Sequence, residues 1–345
     1  MTLPVLEIAI GSPELWAISI LAVLALFVLD FILTRKPHEV SMKEALGWSA
    51  FYIALPLAFG VWIWTTFGSQ RGLEFYAGYL VEKSLSVDNL FVFMLLLASF
   101  AVPRELQQRV LLIGVAGALV LRGVFIALGA AMLANFSWTF LLFGAILLAT
   151  AVKVLRDAMN PAEHEIHPND LRVVRLVRRF WPVTDGYRGP RMSVVEDGRR
   201  AITPFALATL AILATDVVFA VDSVPAVYGI TGDPYLVFVT NAFALLGLRA
   251  LYFVLEGALG ALVHLGYGLA AILAFIGAKL VMHWAHGIWS WVPEVDTLFS
   301  LAVIVGILAI VVTTSLLANR RAGSVDQLPD EAKTDPGHSA DRLTD

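Results

Sequence analysis

The sequence carries one acidic motif twice, as Glu82-Lys83-Ser84-Leu85-Ser86-Val87-Asp88-Asn89 and as Thr215-Asp216-Val217-Val218-Phe219-Ala220-Val221-Asp222-Ser223. Each copy places two carboxylates six positions apart and ends in Val-Asp followed by a small polar residue. Both copies lie in apolar stretches long enough to cross a lipid bilayer. Because a charged side chain at the bilayer centre costs about 2.5 kcal/mol or more, acids at that depth usually serve a function. The repetition predicts a duplicated functional site inside a membrane.

The composition is that of a membrane protein. Of the 345 residues, 59% are hydrophobic and 15% are charged, and the mean hydropathy is +0.78, whereas soluble domains carry about 25% charged residues. The chain has no cysteine, which excludes disulfides, thiolate metal ligands and thiol catalysis by its own residues. The first 13 residues lack a basic segment and carry Glu7, so we predict no cleavable signal peptide. We expect the lipid bilayer to surround the chain and no nucleic acid to bind it.

Nine apolar stretches come close to or exceed the roughly 20 residues that a transmembrane helix needs. They are residues 14–34, 43–66, 73–100, 109–133, 138–155, 204–230, 235–255, 261–283 and 298–317. Lysine and arginine concentrate in alternate connections, and the opposite set of connections holds Arg71 alone. Since basic residues mark cytoplasmic loops, the pattern predicts a multi-pass protein of the cytoplasmic (inner) membrane, with its N-terminus outside and its C-terminus inside.

Three landmarks recur in the same order in spans 3–5 and spans 6–8. The acidic motif is followed by Leu-Arg, ending at Arg122 and Arg249, and then by a Gly-Ala pair and a lysine, Lys153 or Lys279. The first set begins outside the membrane and the second begins inside, so the copies run in opposite directions. Inverted repeats of this kind are typical of secondary transporters, which bind their substrate near the bilayer midplane between the repeats.

The sequence therefore predicts an all-α polytopic membrane protein of about nine helices with a 3+3 inverted repeat. Its predicted parts are an external N-terminus (1–13), two peripheral helices (14–72), repeat A (73–156), a basic cytoplasmic loop (157–203), repeat B (204–284), an outer loop with the ninth helix (285–318), and a disordered cytoplasmic tail (319–345). Within the basic loop, residues 170–181 predict an amphipathic helix. We interpret it as a surface helix on anionic lipid, with a regulatory docking site as the alternative.

The motifs supply oxygen ligands for a hard divalent cation. Carboxylate, amide, hydroxyl and carbonyl oxygens suit Mg²⁺, Ca²⁺ or Mn²⁺, and the predicted ligands are Glu82, Asp88, Asn89, Asp216, Asp222 and Ser223. On a straight helix, residues six positions apart lie about 120° apart around the axis, so two such carboxylates cannot both face one ion. We expect Pro225 to break the helix beside Asp222, because proline cannot donate a hydrogen bond to the Val221 carbonyl.

Basic residues are expected to pair with these acids or to gate the pathway. They are Lys83, Arg122, Arg249, Lys153 and Lys279. The arginines would hold the acids when no ion is bound, and a lysine would exchange the coupling proton. In the alternative interpretation, Asp88 and Asp222 only form salt bridges with Arg122 and Arg249 and bind no ligand. We interpret His283 and His286, at the outer edge, as interfacial residues rather than as a metal site.

Long motifs resemble a known family. Residues 82–93, 214–226 and 241–253 are similar to the TerC/Alx family of integral membrane proteins, which is named for tellurium resistance and for an alkali-induced relative. The resemblance covers about residues 73–284. It implies metal homeostasis, chiefly manganese export, and membership of the LysE-like transporter superfamily. It also implies that the acidic motifs are the metal site, at Glu82, Asp88, Asn89, Asp216 and Asp222.

We therefore predict a transporter, and not an enzyme, that exports a divalent cation, with Mn²⁺ first, and that holds no resident cofactor. Inward proton movement would drive export. One alternative is a membrane partner protein that helps to load metal into exported enzymes. Another is an intramembrane aspartyl protease, whose Gly-x-Gly-Asp context is absent from both motifs. A third is a transporter for an amino acid or for an oxyanion such as tellurite, although an anion would favour arginines and helix N-termini. The sequence indicates no particular protein partner.

Overall fold

The computed structural model describes residues 9–33, 42–160, 171–248 except Asp197, positions 251, 252 and 254, and 264–325 except Ser290, with side chains as far as residue 318. Some predictions fall outside these described residues. They are those for the first eight positions, for Arg249 and for the tail after residue 325.

Ten α-helices and one β-hairpin make up the described elements. The helices are α1 (Pro13–Leu33), α2 (Met42–Phe67), α3 (Ser69–Ser99), α4 (Arg104–Asn135), α5 (Thr139–Met159), α6 (Arg172–Phe180), α7 (Pro204–Tyr228), α8 (Pro234–Leu246), α9 (Leu265–His286) and α10 (Thr297–Val325). Between α6 and α7, the antiparallel strands β1 (Ser193–Glu196) and β2 (Arg199–Ile202) form the hairpin.

Seven of the described helices are long and apolar enough to cross a membrane, namely α1, α2, α4, α5, α7, α9 and α10. Helix α3 is longer than most of these at 31 residues, or about 46 Å at 1.5 Å per residue, but four charges interrupt its apolar character between Glu74 and Asp88. Helix α8 contributes 13 described residues. The protein is an all-α polytopic membrane protein, as the sequence predicts. The count of nine spans and the inverted repeat stay predictions.

The core lies between α3, α7 and α8, and the outermost helices face away from it. Every side chain from residue 235 to 242 in α8 is buried. The most apolar windows of α1 and α10 are each only 17% buried, against 50% for α7. Exposed apolar side chains on α1 and α10 fit contact with lipid tails. The central helices can therefore carry polar side chains that lipid does not touch.

Helices α7 and α8 both begin with a side-chain N-cap followed by proline. Thr203 caps α7 by accepting a hydrogen bond from the Ala206 N–H at 3.3 Å, and Asp233 caps α8 by accepting one from the Tyr235 N–H at 2.9 Å. A proline follows each cap, at the first helical position, where its missing N–H costs no hydrogen bond. The caps fix where these two helices begin and so which of their residues reach α3 and α4.

Helix α7 does not break at Pro225, so that prediction is wrong. The helix runs from Pro204 to Tyr228, and Pro225 lies in its last turn. Only three helical residues follow Pro225, so a change of direction at this proline would move no more than the last turn of α7. Asp216 and Asp222 therefore keep the separation of about 120° that a regular helix imposes, and they face different surroundings.

Glycines bring α5 and α9 into close contact. A Cβ atom built on Gly144 would lie 2.8 Å from the Gly277 carbonyl oxygen, and one built on Gly277 would lie 3.0 Å from the Gly144 carbonyl oxygen. Each glycine belongs to the third landmark of the predicted repeat. Positions that the repeat would make equivalent thus contact each other.

The amphipathic helix of the basic loop packs on the bundle. In α6, Val174 and Val177 are buried against Leu207 of α7, whereas Leu176 and Phe180 are exposed. The interpretation of this helix as one whose apolar stripe lies on lipid needs correction, because protein already covers the two valines.

A tyrosine ties the rest of the loop to the bundle. The Tyr187 hydroxyl donates a hydrogen bond to the Phe100 carbonyl, just after α3, at 2.8 Å. Burial raises the pKa of Tyr187 to about 12, so the hydroxyl keeps its proton and remains a donor at neutral pH.

Candidate functional site

Arg122 lies at the centre of a buried polar cluster. Its side chain in α4 is 0% exposed, as is Glu82 in α3, and Asp216 in α7 is 1% exposed. The Arg122 Nε donates to Asp216 Oδ2 at 3.0 Å and Nη2 donates to Oδ1 at 3.1 Å, so the guanidinium holds this carboxylate at two points. Its Nη1 donates to Glu82 Oε1. Two-point pairs of this kind are among the strongest that arginine makes.

Asn241 in α8 completes the cluster. Its amide oxygen accepts a hydrogen bond from Arg122 Nη1 at 2.8 Å, and its amide nitrogen donates to Glu82 Oε2 at 3.3 Å. Helices α3, α4, α7 and α8 thus meet at one guanidinium. Asn241 is not among the site residues predicted from the sequence, although an amide inside an apolar stretch is a signal that could have identified it.

Arg122 binds the first acid of each motif. The alternative interpretation of the sequence instead paired it, together with Arg249, with the second acids, Asp88 and Asp222. Helix geometry explains why Arg122 does not hold both acids of one motif, because six positions turn the second acid about 120° away from the first. Arg249 lies outside the described residues.

The cluster carries a formal excess of negative charge. Glu82 and Asp216 contribute two carboxylates and Arg122 contributes one guanidinium, which leaves a net charge of −1 if both acids are ionised. An uncompensated buried charge costs several kcal/mol, on the order of 3–5. The centre of the bundle is therefore a place that attracts a cation or a proton.

The second acids of the two motifs line one cavity of about 630 Å³. Asp88 and Asn89 reach it from α3, and Asp222 and Ser223 reach it from α7. Apolar residues of α3, α5, α7 and α9 form much of the remaining wall, and Arg172 of α6 also lines it. The structure thus brings four of the six predicted ligands to one cavity, while Glu82 and Asp216 are held by Arg122.

Asn89 connects the cavity to the arginine cluster. With its amide oriented to suit its neighbours, its oxygen accepts a hydrogen bond from Arg122 Nη2 at 3.3 Å and its nitrogen donates to the Leu85 carbonyl at 3.1 Å. Asn89 also lines the cavity. Asn89 is therefore the residue that both lines the cavity with Asp88 and Asp222 and contacts Arg122.

Ser223 offers an oxygen whose hydrogen-bonding capacity is not used by the described residues. Ser223 is 1% exposed, and its hydroxyl has no hydrogen-bond partner in the part of the chain that the structure describes. The hydroxyls of Ser84 and Ser86 in α3 share this property. A buried polar group without a partner costs about 1–3 kcal/mol. Because Ser223 also lines the cavity, its hydroxyl is suited to meet a ligand there.

The predicted gating lysines do not share one location. Lys153 is exposed at the cavity wall. The Lys83 Nζ turns to α8, where it donates to the Ala244 carbonyl at 3.5 Å. Lys279 lies on α9 within electrostatic range of Glu74 and Asp296.

Glu74 is a buried acid to which sequence analysis gave no role. It lies two helical turns before Glu82 in α3 and is 4% exposed. Its carboxylate accepts hydrogen bonds from Gln70 at 3.1 Å, Arg71 at 2.9 Å and Thr231 at 2.8 Å. The signal available in the sequence was an acid within the third apolar stretch. In the structure, the hydrogen bond from Thr231 connects Glu74 of α3 to the loop that precedes α8.

The four predicted ligands in the cavity, Asp88, Asn89, Asp222 and Ser223, form a hard oxygen donor set of two carboxylates, an amide and a hydroxyl, and Asp157 of α5 adds a third carboxylate to the cavity wall. Such oxygens suit small divalent cations. Over the described ranges, no three acidic or histidine side chains stand close enough together to hold a metal ion without rearrangement. Binding would need the cavity side chains to move, or backbone and solvent oxygens to contribute.

The fold and the site define a polytopic helical membrane protein with a duplicated acidic motif at the centre of its bundle. Residues 67–323 match the family described as "Integral membrane protein TerC family". The chain belongs to this family, as the motifs predict.

Relatives share most of the chain. A Myxococcus xanthus membrane protein of uncharacterised function is 42% identical over 319 residues, which is 92% of this chain and 97% of that protein. A Mycobacterium tuberculosis membrane protein is 41% identical over 80% of this chain and 70% of its own length. Escherichia coli Alx, provisionally described as a membrane-bound redox modulator, is 37% identical over 90% of this chain and 97% of its own. No solved structure matches the chain.

Proposed function

We propose that the chain is a secondary transporter that exports a divalent metal cation, with Mn²⁺ as the first candidate substrate. The observation that carries this proposal is that both copies of the acidic motif line one cavity, through Asp88, Asn89, Asp222 and Ser223. Two carboxylates can offset the cost of removing a dication from water. The oxygen-only donor set favours Mn²⁺, Mg²⁺ or Ca²⁺ over metals that prefer thiolate or imidazole.

The arginine cluster would act as a gate next to this site. Arg122 holds Glu82 and Asp216 together and reaches Asn89. A dication near Asp88 and Asp222 would repel the guanidinium and compete for the Asn89 oxygen. Release of Arg122 would then free Glu82 and Asp216 to serve as the next ligands along the path.

Several contacts between helices fit a two-fold relation between the two repeats on which this mechanism depends. Helix α3 contacts α8, and α4 contacts α7; in addition, α3 contacts α7, α4 contacts α8, and α5 contacts α9. Exchanging α3 with α7, α4 with α8, and α5 with α9 leaves this set of contacts unchanged. Alternating access by rocking of one repeat against the other needs such an arrangement.

Lys83 is our candidate for the coupling proton. Its amine is largely buried, and its hydrogen-bond partner is the Ala244 carbonyl at 3.5 Å, near the C-terminal end of α8. Carbonyls at a helix C-terminus stabilise a cation, but a long single hydrogen bond compensates a buried ammonium poorly. An amine in such surroundings can gain and lose a proton as the bundle moves.

The description of Alx as a redox modulator suggests a different activity for the family. This chain has no cysteine, which excludes thiol–disulfide exchange by its own side chains. The excess of acids over bases in the site likewise disfavours tellurite or another oxyanion.

The test is metal flux by the purified protein in liposomes, with Mn²⁺, Mg²⁺, Ca²⁺, Zn²⁺ and tellurite compared. We expect Mn²⁺ flux in the wild type and its loss in Asp88→Asn and in Asp222→Asn. Asp185→Asn changes an exposed loop carboxylate in the same way and should leave flux intact. Flux by neither variant nor wild type would favour the alternative of a partner protein that works through other subunits.

Thermal stability in detergent provides a second readout. A ligand that binds only the folded state raises stability with the logarithm of its concentration over Kd. We expect Mn²⁺ to stabilise the wild type and the Asp185→Asn control, but neither cavity variant. Full flux in Asp222→Asn, or stabilisation by Mn²⁺ in both cavity variants, would rule out these aspartates as the binding site.

A further inference from the structure

We propose that His283, His286 and Glu294 form a second metal site, for a transition-metal dication such as Zn²⁺, at the opposite end of α9 from the cavity. This inference does not depend on transport. The two histidines lie one helical turn apart at the C-terminus of α9, and Glu294 follows in the connection to α10. His283 lies 14 residues beyond the cavity residue Leu269, or about 21 Å along the helix.

One carboxylate oxygen faces a nitrogen of each ring. Glu294 Oε1 lies 3.5 Å from His283 Nδ1 and 3.9 Å from His286 Nε2. Ligand atoms bound tetrahedrally to Zn²⁺ at about 2.1 Å lie about 3.4 Å from each other. The three side chains do not enclose a metal position as they stand. Shortening the longer of these two separations by about 0.5 Å would bring it to the spacing of a Zn²⁺ site.

The hydrogen bond on the far side of the His286 ring orients it as a ligand. Its Nδ1 lies 2.5 Å from the Val292 carbonyl oxygen. A carbonyl can only accept, so Nδ1 carries the proton and donates it. In the neutral ring, Nε2 then presents its lone pair toward Glu294, where two acceptors would face each other. A metal ion between them resolves this conflict, and a backbone carbonyl behind the opposite ring nitrogen is the usual support of a metal-bound histidine.

The protein does not enclose the site, and the site is partly held in place. The side chains of His283, His286 and Glu294 are 50%, 39% and 57% exposed, so no protein group blocks the approach of an ion from outside the bundle. The Phe140 ring packs edge-on to His283 at a centroid distance of 4.6 Å. Two imidazoles and one carboxylate, with a fourth position for water, form a donor set that suits Zn²⁺ and disfavours Mg²⁺ or Ca²⁺.

The experiment measures Zn²⁺ binding by calorimetry, and Co²⁺ binding by visible absorbance, with the detergent-purified full chain carrying no polyhistidine tag. We expect a site that binds one equivalent and whose affinity falls at least tenfold in His286→Ala and in Glu294→Gln. Glu294→Gln keeps the shape of an exposed side chain, so its folding is not in doubt. An unchanged affinity in both variants would overturn the proposal and leave a protonated histidine–glutamate ion pair.

Two controls separate this site from other metal ligands of the chain. The double variant His164→Ala/His167→Ala removes the other closely spaced histidine pair of the sequence, and Asp88→Asn/Asp222→Asn removes the cavity carboxylates. Both should bind Zn²⁺ as the wild type does. If either control abolishes the site that we assign to His286 and Glu294, the assignment is wrong.

Discussion

At the scale of single residues, the stability of the Arg122 pairs with Glu82 and Asp216 depends on two large free energies, the cost of desolvation and the attraction between opposite charges. Removing three charges from water is expensive, and only close pairing with good geometry offsets that cost. The two-point contact with Asp216 and the bonds through Asn241 supply such geometry. Replacing all three charged groups by neutral ones can therefore be far less harmful than removing one of them.

The first residue-scale prediction concerns Arg122→Met, which strands two buried carboxylates. We expect the free energy of unfolding to fall by about 3–5 kcal/mol, measured as thermal stability in detergent. Lys153→Met removes a lysine that is exposed and should change stability little.

The neutral triple variant Glu82→Gln/Arg122→Met/Asp216→Asn completes this test. It should recover most of the lost stability and still fail to transport Mn²⁺. A triple variant as unstable as Arg122→Met alone would show that packing around position 122, and not charge, dominates.

The residues of this site could be predicted only in part. Acids in apolar stretches can be recognised in the sequence because they are costly inside a membrane. The sequence therefore predicts that Asp88 and Asp222 share a site, and the structure places both at one cavity. Which acid Arg122 binds depends on the rotation of three helices about their axes, and a spacing of six positions gives only the angle between two side chains. Glu294 reaches His283 through the path of a loop, which no periodicity encodes.

At the scale of elements, α5 and α9 can approach closely because Gly144 and Gly277 have no Cβ atom. A Cβ on Gly144 would meet Val281 Cγ2 at 2.7 Å and the Gly277 carbonyl at 2.8 Å. Because a backbone oxygen cannot turn aside as a flexible side chain can, the helices themselves would have to separate.

The element-scale prediction compares two glycine substitutions. Gly144→Ala should lower the free energy of unfolding by about 1–3 kcal/mol through overpacking. Gly123→Ala is the matched control, since a Cβ there meets nothing within 4 Å and alanine favours a helix by up to about 1 kcal/mol. Equal thermal stabilities of the two variants would show that α5 and α9 can separate freely.

The elements also show where hydrophobic patterns mislead. The spacing of valines correctly predicts helix α6, but the pattern cannot tell whether lipid or Leu207 covers its apolar stripe. The same limit applies to Pro225, whose effect depends on how much helix follows it. Helix α7 ends three residues after Pro225, so a kink at this proline would redirect only the last turn of the helix.

At the scale of the whole molecule, the distribution of lysine and arginine predicts the orientation in the membrane. Because the chain has no cysteine, single cysteines report it without background. We expect Trp291→Cys, at an 80% exposed position, to react with an impermeant maleimide on intact cells. Phe180→Cys, at a 64% exposed position, should react only after the membrane is opened. Labelling of position 180 from outside would refute both the orientation and the inverted repeat.

The shared arginine has a consequence for how the protein is made. A ribosome delivers α3 and α4 before α7, so Glu82 and Arg122 enter the membrane while Asp216 is still unsynthesised. The first pair can neutralise itself during insertion, which eases entry of a helix as polar as α3. Asp216 then joins a pair that is already formed, because Nε and Nη2 of Arg122 hold Asp216 while Nη1 holds Glu82. A chain truncated before α7 would therefore enter the membrane with the Glu82–Arg122 pair alone, in place of the final cluster of three charges.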